Sequence, residues 1–368
     1  MPENPLSSLR DAIADVDRTI LELLRRRMEL AAEVGRVKAA DDLPIEVRDV
    51  EDRVLSRARQ FSASCGVSEQ VLEEVFTAII RGSVERQHRV GIALRERRGT
   101  RMLIVGGAGG MGAWLRGFLE LAGHTVELLD PVLAELADQP GRFAELAQVP
   151  DLDAYAAIWV SVPLARTPEV VAELVARHPD GPIIEIASIK DPLTPVLADA
   201  ARAGARIVAL HPMFGPGKSL YEPLTFVLAH HRGEAVERQE IEPLLSHPYT
   251  RLVAVPFPHH DELMGWLLGL AHLVNILFGA AITRSGISAA ELHACASTTF
   301  LRQAATAGRV LSEDPDLYLD IQRLNPYRQQ VYQAARETLA DLEAMVEVAD
   351  RGAFRELLLA AREALREP

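Results

Sequence analysis

Cysteine is scarce in this chain. Cys65 and Cys295 are the only two in 368 residues, they stand in unlike contexts, and neither belongs to a zinc-type spacing. That excludes a disulfide framework and fits a reducing compartment. Positive charge is also short: 39 Lys and Arg stand against 52 Asp and Glu, a net charge of −13. Such a balance argues against a nucleic acid or an anionic membrane as the main partner, while leaving local arginines free to bind small anions. Long apolar runs are missing too. The longest, Trp266–Ile282, carries His272 and Asn275 and falls short of the ~20 residues of a membrane span. It reads as a buried core helix. The opening MPENPLSSLRD has no basic stretch followed by an apolar one, so no signal peptide is expected and the cytoplasm is the expected location.

What is present is an ordinary globular composition, 48% hydrophobic and 25% charged, long enough for two or three domains. Three regimes follow one another. Residues 5–92 show no strand-like run, residues 101–257 alternate short apolar runs with helical patterns, and residues 259–368 return to helix. The charged RERRGT, residues 95–100, reads as a linker. The expected division is 1–92, a linker 93–100, 101–257 and 258–368. No internal repeat or low-complexity tract appears.

In the first regime Leu9, Ile13, Val16, Ile20, Leu23, Leu30, Val34 and Val37 keep a 4-3-4-3 rhythm, one long helix with an apolar seam. Between Leu23 and Leu30 the seam position is Arg27. A charge there is costly unless an anion or partner meets it. After a break at Pro44-Ile45, helices are expected over about 47–62 and 68–88. Arg27 and Lys38 lie eleven residues apart, about three turns, and so face one way. Ser83 and Gln87, four apart, share a face of the third helix. Two cations opposite a hydroxyl and an amide form a cup for an anion with several oxygens.

The second regime opens on RMLIVGGAGGMG. Gly107, Gly109 and Gly112 follow an apolar run and precede a helical pattern. The next strand, residues 125–129, ends in Asp130, eighteen residues past Gly112, where an acidic side chain bonds the ribose hydroxyls of a dinucleotide. No arginine adjoins it to hold a 2′-phosphate, so NAD is expected rather than NADP. Later strands lead into Ser161-Val162-Pro163, into Ala187-Ser188-Ile189-Lys190, and into His211. In an open α/β sheet, ligands sit outside the carboxyl ends of the strands. Ser161, Ser188 and His211 are therefore expected at one rim. His211 begins HPMFGPG, whose prolines stiffen the turn that follows it.

Two sets of residues carry a resemblance. Arg10, Arg27, Lys38, Glu51, Ser83 and Gln87 on three helices resemble the all-helical chorismate mutases over about residues 4–92. SVP, EIASIK and HPMFGP resemble the prephenate dehydrogenases. End to end, the chain resembles the bifunctional chorismate mutase–prephenate dehydrogenase family. The resemblance implies an all-α mutase domain, a Rossmann-type α/β domain and an all-α C-terminal dimerisation domain. It also implies a homodimer in which Arg10 serves the partner's mutase site. Arginines would clamp the carboxylates, Lys38 and Gln87 would bond the ether oxygen, and Glu51 the ring hydroxyl. His211 would take the proton of the substrate C4 hydroxyl as hydride leaves for NAD, oriented by Ser188. Met111, Ser161 and Pro163 would line the cofactor, and His272 the substrate. His260-Asp261 stand on the same expected helix as His272 and read equally well as cap and core residues.

The chain departs from the family pattern in three places. Val50 stands where the family often has arginine, with Arg48 two places earlier, Val47 replaces an acidic residue, and Leu301 occupies the position of a carboxylate-binding arginine, with Arg302 one place on. STTFLRQ and DIQRLN (residues 297–303 and 320–325) also resemble dehydrogenases acting on 4-amino-4-deoxyprephenate. Two alternatives thus stay open: a C4-amino substrate, or a monofunctional dehydrogenase with a degenerate mutase-like dimerisation module.

Overall fold

A computed structural model describes residues 5–41, 43, 48–94, 99–136, 139–245, 247 and 249–366. The expected break at Pro44-Ile45, the departure at Val47 and most of the RERRGT linker lie outside the described residues, as does the side chain of Arg48.

The first regime is three helices: α1 (Pro5–Ala40), α2 (Arg48–Cys65) and α3 (Glu69–Leu94). The C-terminal half of α1 packs on α3. Gly35 sits where a Cβ would lie 2.7 Å from the Gln87 backbone, so its missing side chain sets the helix separation. The N-terminal half of α1 is uncovered: Leu9, Ile13, Val16, Ile20 and Leu23 are 49–62% exposed. The apolar seam exists, and among the described residues nothing closes over that part of it.

The second regime is an eight-stranded sheet in the order β3-β2-β1-β4-β5-β6-β7-β8. Its strands are β1 (Arg101–Val105), β2 (Thr125–Leu129), β3 (Arg142–Phe143), β4 (Ala157–Val160), β5 (Ile183–Glu185), β6 (Ile207–Pro212), β7 (Leu224–His230) and β8 (Thr250–Pro256). The first six are parallel, in the 3-2-1-4-5-6 order of the dinucleotide-binding fold. β7 and β8, parallel to each other, run against them. Helices α4 (Gly110–Leu121), α5 (Thr167–Ala176), α6 (Thr194–Ala203) and α7 (Glu234–Ile241) cover the sheet. Its strands read as near-continuous apolar runs because both faces are buried. One core joins Met102, Ile104, Trp114, Phe118, Trp159 and Phe226, and the other joins Leu103, Val105, Ile158, Val160, Leu174 and Ile207.

The third regime is helical: α8 (Phe257–Met264), a π-helical turn over Gly265–Leu270, then α9 (Ala271–Ser285), α10 (Ala289–Ala294), α11 (Thr298–Leu311), α12 (Pro315–Leu324), α13 (Arg328–Glu347) and α14 (Arg351–Ala364). Here one expectation fails. The run 266–282 is not a core helix of this chain. Trp266, Leu267, Val274 and Leu277 are exposed, and the continuous helix Phe257–Ser285 is apolar and long enough to cross a membrane by length and composition. Its residue types are those of a core, but the described residues place no layer over that face.

The regimes touch. Val84 of α3 packs against the sheet core, the His88 ring lies 4.1 Å from that of Tyr249, and Arg89 stacks over Tyr221 at 5.0 Å.

Candidate active sites

The helical cup forms where the sequence places it. Arg27, Lys38, Val50, Glu51, Ser83 and Gln87 line a cleft of about 260 Å³ between α1, α2 and α3. Arg27 donates to the Ser83 hydroxyl and to the Ile79 carbonyl at 3.1 Å. Partial burial pushes its guanidinium below the ordinary value, so an incoming carboxylate would be met by a poorly hydrated cation. The Gln87 side-chain oxygen is buried without a protein partner and belongs to this cleft. Val50 leaves one wall apolar. Arg10, by contrast, lies exposed on α1, about 25 Å up the helix from Arg27 at 1.5 Å per residue. It cannot reach the cleft of its own chain.

The glycine loop is tight where backbone must approach backbone and open where a ligand would sit. Gly106 has φ +83°, and a Cβ there would fall 2.3 Å from the Ser161 carbonyl oxygen. A Cβ on Gly112 would meet the Gly106 oxygen at 2.2 Å, and one on Gly107 the Leu128 side chain at 2.8 Å. At Gly109, the residue that precedes α4, a Cβ would meet only the Gly106 oxygen, at 3.5 Å. That opening at a helix N-terminus suits a pyrophosphate. The Asp130 carboxylate accepts from Ala108 N–H and Val132 N–H, both at 3.1 Å, which fixes it beside the loop. Asp130, Leu129, Val105, Val162 and Pro163 border a cleft of about 480 Å³. These residues fit an adenosine with free ribose hydroxyls, and Asp130 would repel a 2′-phosphate. Met111 lies half-buried on the first turn of α4.

His211 does not close its strand, as its position before two prolines implied. It lies inside β6 and pairs with Val227, because the antiparallel β7 extends the ladder through Pro212. The turn beyond is clamped onto the cofactor loop. Pro216 lies where a Gly110 Cβ would be 3.1 Å from its ring, Trp114 Nε1 donates to the Lys218 carbonyl at 2.7 Å, and the Phe214 and Trp114 rings are 4.7 Å apart. The turn after His211 is thereby tied to the glycine loop and α4, while the imidazole itself faces His260.

Behind His211 lies a network the sequence reading did not join to it. Its Nδ1 is 3.1 Å from Nε2 of His260, and His260 Nδ1 is 2.7 Å from Oδ1 of Asp261. Asp261 accepts from Lys190 N–H at 2.9 and 3.1 Å and from Asp191 N–H at 2.7 Å. Lys190 Nζ bonds Glu185 at 2.6 Å and the Leu210 carbonyl at 2.9 Å. His260, Glu185 and Lys190 are fully buried, and His211 is 3% exposed. Burial first, then the charges of His260 and Lys190, push the His211 imidazole well below its ordinary value. Burial likewise lowers His260, against the pull of Asp261. Asn325 Nδ2 donates to the Asp261 carbonyl at 2.8 Å and ties the α12–α13 corner to this network. The only sequence signals for these partners were polar residues placed at strand ends and at the start of α8.

Ser188 and Ser161 are half-buried at the ends of β5 and β4. His272 stands on α9 with its ring edge-to-face on Tyr318 at 4.2 Å, and burial pushes it down to about 4. Arg302 does not join the network: α11 turns Gln303 toward α9, where its amide bonds Asn275 at 3.1 Å, and Arg302 faces solvent next to the exposed Leu301. Neither position 301 nor 302 therefore faces the network within one chain. Among the described residues no group of three or more His, Cys, Asp and Glu could hold a metal.

A dinucleotide fold with a buried histidine on a strand whose following turn packs on the glycine loop defines a nicotinamide-dependent dehydrogenase. Here it is fused to a helical anion-binding domain. Residues 9–88 match the chorismate mutase type II family, and residues 257–360 match the prephenate dehydrogenase dimerization domain. The T-protein of Enterobacter agglomerans is 29% identical over 95% of this chain and 90% of its own length. The 4-amino-4-deoxyprephenate dehydrogenase of Streptomyces pristinaespiralis is 29% identical over 73% of this chain and 92% of its own. A prephenate dehydrogenase from A. aeolicus, solved with hydroxyphenyl propionate and NAD+, shares the fold at a TM-score of 0.58, with 19% identity, 73% of this chain and 98% of that one covered. One polypeptide thus carries both matches, which supports a bifunctional chorismate mutase–prephenate dehydrogenase.

Proposed function

We propose that this protein converts chorismate to prephenate in its helical domain and oxidatively decarboxylates prephenate to 4-hydroxyphenylpyruvate with NAD, in tyrosine biosynthesis. The observation that supports it most is the pairing of a cationic cleft with a dehydrogenase histidine in one chain. The working units are 1–92, 101–257 and 258–368. The rearrangement is pericyclic and needs no acid, base or nucleophile. Arg27, and Arg10 of a second copy, would hold the carboxylates. Lys38 and the Gln87 amide would donate to the ether oxygen, where charge develops, and Glu51 would accept from the ring hydroxyl.

In the second reaction NAD, when bound, supplies the hydride acceptor. Gly109 and the α4 N-terminus would hold its pyrophosphate and Asp130 its ribose. His211, neutral at physiological pH, takes the C4 hydroxyl proton, Ser188 orients that hydroxyl, and His272 lines the substrate. Loss of CO₂ leaves an aromatic ring, which makes the step irreversible.

The uncovered faces of α1 and α9 support a homodimer, α9 lying inside the matched dimerization domain. A cytoplasmic location fits this biosynthetic role. The likeness to the Streptomyces enzyme makes a 4-amino substrate the competing reading. Turnover of purified protein with NAD and each of chorismate, prephenate, arogenate and the 4-amino analogue tests both. Preference for the amino substrate in kcat/KM would replace the hydroxyl assignment.

A further inference from the structure

A histidine that accepts a proton in a dry site must present a lone pair to the substrate and must put the resulting charge somewhere. The hydrogen-bond chain settles both. Asp261 Oδ1 is held at 2.7 Å from His260 Nδ1, and with two backbone N–H groups on the carboxylate this is an acceptor site, so His260 Nδ1 carries the proton. In the neutral ring, His260 Nε2 is then a lone pair. It faces His211 Nδ1 at 3.1 Å, and that contact is a hydrogen bond only if His211 Nδ1 carries a proton. His211 Nε2 is left as the lone pair, the nitrogen not committed to the buried chain.

The charges point the same way. The groups facing the two imidazoles are Lys190 and Glu185 from the end of β5 and the segment after it, and Asp261 on α8. One ammonium stands against two carboxylates, so with both rings neutral the cluster is one positive charge short. Lys190 and Glu185 satisfy each other at 2.6 Å, which leaves Asp261 as the uncompensated anion. It adjoins His260, not His211.

We propose that His260 and Asp261 are positioning residues of the dehydrogenase reaction, forming with His211 a relay that fixes the base tautomer and takes the cation away from the nicotinamide side. As the C4 O–H bond breaks, its proton bonds to His211 Nε2. The Nδ1 proton of His211 moves to His260 Nε2. The charge comes to rest on His260, against Asp261, and His211 is again neutral. The C4–H bond pair leaves as hydride to NAD, and the carboxylate departs as CO₂. The electron pair of the broken C–CO₂ bond makes the ring aromatic and places charge on the C4 oxygen, and the proton returns to that oxygen through the same two rings, so the product leaves as the phenol and both imidazoles are neutral again.

This inference rests on the dehydrogenase reading above, and its test separates the two. In resting protein labelled with ¹⁵N-histidine, without substrate, His211 should show a protonated Nδ1 and a bare Nε2, and His260 likewise. The opposite tautomer on either ring overturns the relay whatever the enzyme turns over. In activity, His260→Gln keeps an amide oxygen able to accept from His211 but cannot take a proton. We expect kcat to fall about 10- to 100-fold with NAD affinity kept. Asp261→Asn removes the anion that favours the cation. The low-pH limb of kcat should move to lower pH, and kcat at pH 8 should fall by a similar factor. Mutase turnover and NAD binding of the same preparations report folding. If Asp261→Asn fails to fold, His260→Gln and the tautomers decide alone. Both variants within two-fold of wild type with an unmoved limb would show that the chain behind His211 is only structural. Absence of turnover in the wild type with every cyclohexadienyl substrate would sink the reaction assignment and leave the tautomers standing.

Discussion

His211→Asn keeps a hydrogen-bonding group and loses the base. General-base removal costs roughly 10²–10⁴-fold, so kcat should fall by about that much while NAD binding, which we assign to Gly109 and Asp130, is retained. Because burial holds His211 below its ordinary value, wild-type activity should persist into mildly acidic solution, and the limb should vanish in the mutant. Near-normal kcat in His211→Asn would refute its role. At Asp130 a charged hydrogen bond to ribose is worth about 1.5–3 kcal/mol, so Asp130→Ala should raise KM for NAD by about 10- to 100-fold and narrow the preference over NADP. Equal kcat/KM for the two cofactors in the wild type would refute the assignment. Stability follows from the same burial. His211, His260 and His272 all have folded values below the unfolded ~6.5. The unfolded chain then binds more protons as pH falls, so stability is complete above pH ~6.5 and is lost on acidification, for His272 across the window down to about 4. Melting temperatures measured from pH 7 to 4 should decline, and a flat profile would contradict it.

At the scale of elements, α3 is shared by two domains. One face presents Ser83 and Gln87 to the mutase cleft, and His88 on the other side meets Tyr249. Gly35 fixes its distance from α1. Gly35→Ala drives a methyl against the Gln87 backbone, which should cost about 1–3 kcal/mol and displace Gln87 from the cleft. A misplacement on that order costs up to ~10²-fold, so mutase kcat should drop by about 10- to 100-fold with dehydrogenase turnover little changed. Arg27→Ala should abolish mutase turnover and leave the dehydrogenase within a few-fold. Parallel loss of both activities would mean that α3 couples the sites more strongly than its contacts imply. Wild type inactive as a mutase would favour the dimerisation-module reading.

At the scale of the whole molecule, Arg10 and Arg27 lie too far apart on one rigid helix to act together within a chain. With Arg10 in its proposed role, each mutase site draws on two chains. Arg10→Ala and Arg27→Ala homodimers should each be inactive as mutases. Their co-expressed hybrid has one site with both arginines, so a statistical mixture should recover about a quarter of wild-type mutase activity. No recovery would refute sharing of the site. Sedimentation should show a dimer, which would also cover the apolar face of α9.

Local order along the chain was enough for much of this. The 4-3-4-3 seam determined α1, the spacing of Arg27, Lys38, Ser83 and Gln87 determined a cleft, and the glycines followed by Asp130 determined a dinucleotide site, because helix and strand periods convert spacing directly into direction. Only tertiary structure decided what lies behind and around those faces. The antiparallel β7 carried β6 through His211, and α8 brought His260 and Asp261 from 49 and 50 residues away to its back. Whether the apolar stretch 266–282 is interior or interface was likewise beyond the sequence. Hydrophobicity records that a face will be covered, and only the packing of all elements shows whether its own chain covers it.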